Sequence, residues 1–266
     1  MLRVLAFLLL ASPAAAGQPV LYKVDLEART TAKADVLGDG VEWRVFRDGD
    51  TLVPAGSATG GRATLELPGG SYYLHAAYGQ AGRTLRLEVT GATQRTVVLN
   101  TGGLMLDAKA GEAAIAPDLL RFDVYEHRER EDGRRRLVAF DVAPERVVRL
   151  NAGTYHVLSR YGRHRTEVRA DLVVRAGETT HATLLHRGAE VRLRLASAPG
   201  GIPIANTAWS VFSDQGEQIF SSAQNAPRLV LPEGDYEVVA RNGERVLKRA
   251  LTIEPGAAQD VELLLP

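Results

Sequence analysis

The phrase Leu231-Pro232-Glu233-Gly234-Asp235-Tyr236 decides the fold of this chain, because closely similar phrases occur at two earlier places. They read Leu67-Pro68-Gly69-Gly70-Ser71-Tyr72 and Leu150-Asn151-Ala152-Gly153-Thr154-Tyr155. In each case a further glycine follows seven residues after the tyrosine, at Gly79, Gly162 and Gly243. Self-similarity at a fixed period indicates tandem copies of one structural unit. The 266 residues therefore predict three modules of about 80 residues each.

Each repeat carries the alternation of apolar and polar residues that is typical of β-strands. The aligned inward positions are Trp43 and Val45, Phe122 and Val124, and Trp209 and Val211, followed by the aromatics Phe46, Tyr125 and Phe212. In the first repeat we expect strands over 21–28, 41–47, 51–54, 62–67, 71–78, 84–89 and 95–99. Seven short strands separated by turn signals are the signature of a β-sandwich.

The predicted fold class is thus all-β, with three tandem Ig-like β-sandwich modules. We place the modules at residues 17–101, 102–188 and 189–266. Only residues 100–103 and 186–189 separate the last strand of one module from the first strand of the next. Because no Gly/Ser-rich or Pro-rich linker intervenes, we expect an elongated and fairly stiff array.

The repeated glycine and tyrosine have a structural interpretation. A tyrosine near the start of a strand folds its ring over the sandwich edge and bonds the backbone a few residues upstream, forming a tyrosine corner. The glycine two residues earlier supplies the backbone angle of the tight entry. We assign this structural role to three pairs: Gly70 and Tyr72, Gly153 and Tyr155, and Gly234 and Tyr236.

The Leu-Pro-x-Gly-x-Tyr phrase, with alternating apolar residues after it, resembles the carboxypeptidase-regulatory-like and prealbumin-like β-sandwich repeat modules of bacterial extracytoplasmic proteins. The resemblance is clearest over residues 231–239 and covers nearly the whole chain after residue 16. It implies rigid spacers, stalks, or modules that bind protein or glycan, and it implies no activity.

The first sixteen residues have the pattern of a secretory signal peptide. Arg3 precedes an apolar run over residues 4–11, and small residues lead to Ala16. The run is shorter than the about 20 residues that span a bilayer. We therefore expect cleavage after Ala16 and a periplasmic or secreted protein with no membrane span in the mature chain.

Composition excludes several kinds of chemistry. The chain has no cysteine, which removes thiol catalysis, zinc–thiolate sites and iron–sulfur clusters. A net charge of zero gives no support for nucleic acid as a partner. The sequence lacks a Gly-x-Ser-x-Gly elbow and a His-Glu-x-x-His motif. We predict no enzyme, no catalytic residue, no metal ligand and no cofactor. Three of the six histidines are candidates for a shared metal site: His164, His181 and His186. We expect them instead to be ordinary surface residues.

One hairpin of the second module is longer and more charged than its counterparts. Residues 127–136 contain five arginines, which are the candidate partner-binding residues: Arg128, Arg130, Arg134, Arg135 and Arg136. Extra length in one copy of a repeat often marks a binding face, although a solvated hairpin tip explains it equally. A second candidate is the aligned pair Tyr78 and Tyr161 at strand ends that look exposed.

Two functional hypotheses remain. The first is a non-catalytic extracytoplasmic scaffold or adaptor that binds a protein of the cell envelope through sandwich edges or loops. The alternative is a protein that binds carbohydrate or another cell-envelope polymer through exposed tyrosines with arginine and aspartate side chains.

Overall fold

A computed structural model describes residues 19–50, 52–162 and 166–265, and it is built almost entirely of β-strands. The predicted signal peptide lies outside these residues. Within them, no helix is long and apolar enough to cross a membrane. The predicted all-β class with three β-sandwiches is confirmed, since the strands form three pairs of facing sheets.

The first sandwich contains seven strands. They are β1 (Leu21–Arg29), β2 (Val41–Arg47), β3 (Gly56–Thr59), β4 (Arg62–Pro68), β5 (Gly70–Tyr78), β6 (Ala81–Val89) and β7 (Thr93–Val98). One sheet has the order β4-β1-β7 and the other the order β3-β2-β5-β6. The strand expected over 51–54 is wrong for its described residues 52–54, because the third strand begins only at Gly56. The Asp50 carboxylate accepts a hydrogen bond from the Leu52 N–H at 3.1 Å, which keeps this segment in a turn.

The second sandwich repeats this plan with one small addition. Its strands are β8 (Thr101–Ala110), β9 (Ala113–Ala114), β10 (Leu120–Glu129), β11 (Arg135–Val142), β12 (Val147–Asn151), β13 (Gly153–Tyr161), β14 (Thr166–Val174) and β15 (Thr179–His186), with a short 3₁₀ helix at Pro117–Leu119. The sheets have the orders β12-β8-β15 and β11-β10-β13-β14, and β9 pairs with β8. The first and last long strands, β8 and β15, are parallel.

The third sandwich has the same topology as the first. Its strands are β16 (Gly188–Ala196), β17 (Thr207–Ser213), β18 (Gln218–Ser222), β19 (Arg228–Pro232), β20 (Gly234–Asn242), β21 (Arg245–Ile253) and β22 (Gln259–Leu264). The sheets have the orders β19-β16-β22 and β18-β17-β20-β21, and β16 and β22 are again parallel.

The chain divides into two compact units. The first contains the residues up to Ala28, Val36–Ala76 and Arg83–Val97. The second contains Arg29–Asp35, the turn Ala77–Gly82 and everything from Val98 onward, so it includes the second and third sandwiches. The module boundaries at 17–101, 102–188 and 189–266 stay predictions.

Each sandwich buries its own apolar core. The inward positions that the alternation predicts are fully buried in all three, including Trp43, Phe122 and Trp209. Burying an aromatic side chain removes a large apolar area from water, which makes these residues the main stabilising contacts of each core.

The repeated tyrosine closes the corner at which the chain passes from one sheet to the other. The hydroxyl groups donate to the carbonyl oxygens four residues upstream: Tyr72 to Pro68 at 2.8 Å, Tyr155 to Asn151 at 2.9 Å and Tyr236 to Pro232 at 3.0 Å. Gly70 and Gly234 have φ of +151° and +143°, whereas Gly153 is absent from the positive-φ residues of the described chain. The backbone angle predicted from the sequence thus explains Gly70 and Gly234 but does not hold for Gly153, and at all three positions a Cβ would make only an ordinary contact with the tyrosine ring, at 3.7 to 4.0 Å.

The second and third sandwiches pack directly against each other within the second unit. A Cβ on Gly162, which follows β13, would lie 2.6 Å from the Val230 side chain of β19. Val230 in turn belongs to the buried cluster of the second sandwich. Nearby, Arg228 approaches Asp118 at 3.5 Å and donates to the buried Glu190 at 2.7 Å. Burial alone would raise the pKa of Glu190, but hydrogen bonds from Arg192 and Arg228 outweigh it and lower that pKa.

Replacing Gly162 tests this contact. Gly162 has φ +72° and the exposed hairpin residue Gly133 has φ +73°, but nothing lies within 4 Å of a Cβ on Gly133. We expect Gly133→Ala to lower the unfolding free energy by about 1 kcal/mol through backbone strain alone. Gly162→Ala adds an overpacking cost and should lose about 2 to 4 kcal/mol. Urea unfolding followed by the fluorescence of Trp209, with Trp43 replaced by Phe in both variants, measures the difference, and equal losses for the two variants would contradict the close packing.

Candidate functional site

The charged hairpin predicted from the sequence joins β10 and β11 of the second sandwich, and residues 127–134 are all exposed. The Arg130 N–H donates to the Arg134 carbonyl at 2.8 Å, and the Gly133 N–H donates to the Arg130 carbonyl at 3.0 Å. The Asp132 carboxylate accepts from the Arg134 N–H at 3.0 Å. These bonds give the hairpin tip a defined conformation.

The five candidate arginines fall into two groups. Arg135 pairs with Glu129 at 2.9 Å, and Arg136 donates to Glu126. The bond from Arg136 also lowers the pKa of Glu126. Among the described residues, the side chains of the other three make no hydrogen bond or ion pair: Arg128, Arg130 and Arg134. The hairpin therefore presents three guanidinium groups that remain available to a partner.

Strand β11 lies at an edge of its sheet. In the described chain it pairs with β10 alone, so its other backbone edge faces outward. It also exposes two apolar side chains, Leu137 at 43% and Phe140 at 66%. An unpaired strand edge is a template for a further strand, and exposed apolar groups beside it favour contact with another chain.

A polar network fixes the position of Phe140. The buried carboxylate of Asp123 accepts from the Asp141 N–H and from Arg160 Nη2, both at 2.9 Å. The Arg160 guanidinium lies over the Phe140 ring at 5.5 Å, a cation–π contact. Asp141 has φ +54°, a left-handed conformation that aspartate tolerates better than most residues. The bend at Asp141 and the guanidinium together hold the aromatic ring outward.

A carboxylate lies between two histidines beside this hairpin, a contact that sequence analysis did not predict. Asp171 Oδ1 lies 2.8 Å from His156 Nδ1, and Asp171 Oδ2 lies 3.5 Å from His127 Nδ1. The hydrogen bond from His156 lowers the pKa of Asp171. The pairing of β13 with β14 sets His156 opposite Asp171, so only the strand register reveals the contact. Among the described residues, no group of three acidic or histidine side chains is arranged to hold a metal ion.

Of the three histidines singled out in the sequence, His164 lies outside the described residues and His181 is exposed. The surface role expected for His186 is wrong, because its ring is 1% exposed in the core. His186 Nε2 lies 2.7 Å from the buried Ser159 Oγ, and its ring packs edge-on against Tyr161. Its Nδ1 has no partner among the described residues. The pair therefore lacks the orienting carboxylate and the access to solvent that a catalytic serine needs.

The expected exposure of Tyr78 and Tyr161 is wrong. Tyr161 is 3% exposed, because its ring fills the core beside His186. The Tyr78 ring is covered by the guanidinium of Arg149, whose central carbon lies 4.5 Å from the ring centroid. Tyr161 therefore offers no aromatic face to a partner, and Tyr78 is half-buried with one face of its ring covered.

A cleft of about 530 Å³ opens in the third sandwich. Two aromatic residues, Phe212 and Tyr236, line it together with Asp214, Glu237 and Lys248. Glu237 and Lys248 form an ion pair at 2.8 Å. Sequence analysis did not identify this cleft, because it arises where a hairpin, β20 and β21 meet.

The burial of His186 predicts a pH-dependent stability. Burial lowers its pKa from 6.5 to about 4, so the folded protein favours the neutral ring. The unfolded chain binds the proton more readily, and the stabilisation present above pH 6.5 is lost as the pH falls toward 4, by about 3 kcal/mol in total. His186→Gln should flatten the dependence of unfolding free energy on pH across this window. The unmutated protein should keep the steep dependence, and an equally steep dependence in His186→Gln would contradict the assignment.

No curated protein matches this chain. Among solved structures, the TIE protein of Bacillus anthracis is similar at 14% identity, with 92% of this chain and 51% of that protein covered and a TM-score of 0.27. This chain thus spans about half the length of that relative. GBS52, the minor pilin of Streptococcus agalactiae, is similar at 13% identity over 62% of this chain and 95% of its own, with a TM-score of 0.34. The shaft pilin SpaA of Lactobacillus rhamnosus GG is similar at 14% identity over 62% and 97%, with a TM-score of 0.29.

The third sandwich matches a described repeat family. Residues 190–265 are similar to the Rhizobiales growth-associated tandem repeat domain. The finer resemblance to carboxypeptidase-regulatory-like modules stays a prediction. At the level of the β-sandwich repeat, the match agrees with the organisation that the sequence predicts.

Proposed function

We propose that this protein is a non-catalytic scaffold or adaptor outside the cytoplasm, and that it binds another protein through the β10–β11 hairpin and the outer edge of β11. The observation that carries the proposal is the edge strand itself. Strand β11 is paired on one side only in the described chain, exposes Phe140, and begins at a hairpin whose Arg128, Arg130 and Arg134 side chains make no ion pair among the described residues.

The open edge of β11 indicates the shape of partner that would fit. Main-chain hydrogen bonds to an open strand are made best by another extended segment, which adds to the sheet. Leu137 and Phe140 supply apolar contacts for its side chains. The partner is therefore a protein with an exposed strand or an extended loop.

The unpaired arginines of the hairpin indicate the charge that a partner would carry. Arg128, Arg130 and Arg134 make no ion pair within the described chain, so a partner carboxylate would not displace an existing contact. Arg135 and Arg136 are already neutralised by Glu129 and Glu126. We therefore expect acidic side chains in the partner segment. The location outside the cytoplasm rests on the pattern of residues 1–16.

A crosslinking pull-down from the native cell-envelope fraction tests the proposal. The variant Arg128→Ala/Arg130→Ala/Arg134→Ala should lose a discrete protein partner, with affinity falling at least about tenfold because three charge contacts disappear. Phe140→Ala should weaken the same partner by removing the apolar anchor. The matched control is Arg44→Ala/Arg95→Ala/Arg175→Ala, three exposed arginines elsewhere, which should retain it. Equal retention by both triple variants would overturn the proposed site.

The cleft of the third sandwich supports a second candidate function, binding of a carbohydrate or another envelope polymer. Aromatic rings with a few polar groups around them suit sugar rings, whose faces are apolar and whose edges carry hydroxyls. If this is its role, Phe212→Ala should reduce retention on isolated cell-wall material at least about tenfold. Phe46→Ala, at the equivalent position of the first sandwich, should not. Unchanged retention after Phe212→Ala would remove the polymer hypothesis from this cleft.

A further inference from the structure

The three turns that follow the tyrosine strands are built alike, and we call them the repeat turns. Their glycines are Gly79, Gly162 and Gly243, with φ of +65°, +72° and +60°. Because these conformations are left-handed, each turn favours glycine for its backbone. The three turns differ in what surrounds their glycines: Gly79 and Gly162 lie against another strand, and Gly243 does not.

The first repeat turn lies against a strand of the second sandwich, and both belong to the second compact unit. A Cβ on Gly79 would lie 2.9 Å from Arg149 Cβ. The Gln80 N–H donates to the Arg149 carbonyl at 3.0 Å, and the Gly82 N–H donates to Asn151 Oδ1 at 3.1 Å. Arg149 also covers the Tyr78 ring. Strand β12 is therefore the acceptor of this turn.

The second repeat turn lies against the equivalent strand of the third sandwich. Gly162 faces Val230 of β19, at a distance that leaves no room for a Cβ. Arg149 and Val230 hold the same repeat position, each directly before the leucine of its repeat phrase, Leu150 and Leu231. Two junctions thus use one rule: the repeat turn of a module packs on the strand that carries this position.

The third repeat turn has no such cover in the described chain. No heavy atom lies within 4 Å of a Cβ on Gly243. At the same end of the sandwich, Asn242 Nδ2 bonds the Ala205 carbonyl at 2.8 Å, and the segment before it exposes Ile202 at 89%. The third sandwich therefore has a repeat turn like the other two, but in the described chain this turn faces solvent.

In the first sandwich, the surface equivalent to the one on which the repeat turns pack is exposed. Glu66 of β4 occupies the position of Arg149 and Val230 there; Glu66 and Arg149 are both exposed, so the residues beside this position distinguish an open surface from a covered one. Val20 and Leu21, beside the start of β1, are 68% and 52% exposed. The register equivalent of Leu21 in the second sandwich, Thr101, is 1% exposed.

We propose that a second copy of this chain fills both positions, with the Gly243 turn of one copy packed on the Glu66 strand of the next. The contact is head-to-tail, because the two surfaces differ and lie on different modules. A heterologous contact of this kind leaves one surface of each end copy free for a further copy, unlike a two-fold dimer. This interaction uses neither β11 nor the arginine hairpin, so it stands or falls independently of the proposed partner site.

The intermolecular contact must be weaker than the internal ones. The internal turns are held beside their acceptors by the chain, which raises their effective concentration to the millimolar range. Association between copies is therefore expected at high protein concentration, or where the protein is confined in a small volume.

Sedimentation velocity of the purified protein over a concentration series up to about 1 mM tests this proposal. The average mass should rise with concentration. Gly243→Asn keeps a left-handed residue but adds a side chain at the contact, and should weaken association at least about tenfold. The matched control is Gly216→Asn, because Gly216 has φ +78° and equally open surroundings on a hairpin between other strands. A protein that stays monomeric throughout, or two variants that associate equally, would overturn the proposal.

The absence of native cysteine permits a test of direction. Glu66→Cys and Glu244→Cys, prepared separately and then mixed under mild oxidation, should form a mixed disulfide dimer, because the internal equivalents Arg149 and Gln80 are bonded through their backbones. Each variant alone should yield little dimer. Glu217→Cys in place of Glu244→Cys should not crosslink to Glu66→Cys. Efficient crosslinking of either variant with itself would indicate a two-fold contact and overturn the head-to-tail arrangement.

Discussion

The fold depends on one hydrogen bond that is made three times. Each repeat tyrosine donates to the carbonyl four residues upstream, at the point where the chain leaves the smaller sheet and enters the larger one. That step would otherwise place an unpaired carbonyl at a crowded corner, where burial without a partner costs about 1 to 3 kcal/mol. The ring covers the corner and the hydroxyl satisfies the carbonyl. The corner thereby holds the two sheets of each sandwich face to face.

With the corners fixed, the turn at the far end of the same strand becomes a surface for the next module. The repeat turns are compact because they contain glycine, and a neighbouring strand can approach them closely. Within the second unit, β13 thus serves, from corner to turn, both to build the second sandwich and to contact the third. Arg228, which also donates to the buried Glu190, lies 3.5 Å from Asp118 of the second sandwich and adds a charged contact at the second junction.

Much of the fold could be predicted, because β-strands appear in the sequence as an alternation of apolar and polar residues. This alternation depends only on neighbouring residues of the chain. The aromatic strand expected at 41–47 is observed as Val41–Arg47, and the inward residues Trp43 and Trp209 are buried. The failures come from contacts between distant residues. Tyr161 looks exposed in sequence but packs on His186, and His156 meets Asp171 only through strand register. The division of the hairpin arginines into paired and unpaired groups likewise depends on which glutamates face them, and no spacing rule supplies that.

The parallel pairing of the first and last long strands has a mechanical consequence. In the second sandwich β8 and β15 run side by side over eight residue pairs, and the chain enters through one strand and leaves through the other. A pull along the chain drags these strands in opposite directions along their length. All of their backbone hydrogen bonds are then loaded together, whereas an antiparallel terminal pair would open one bond at a time. Resistance to tension is therefore built into the connectivity of the module, and β16 with β22 gives the third sandwich the same property.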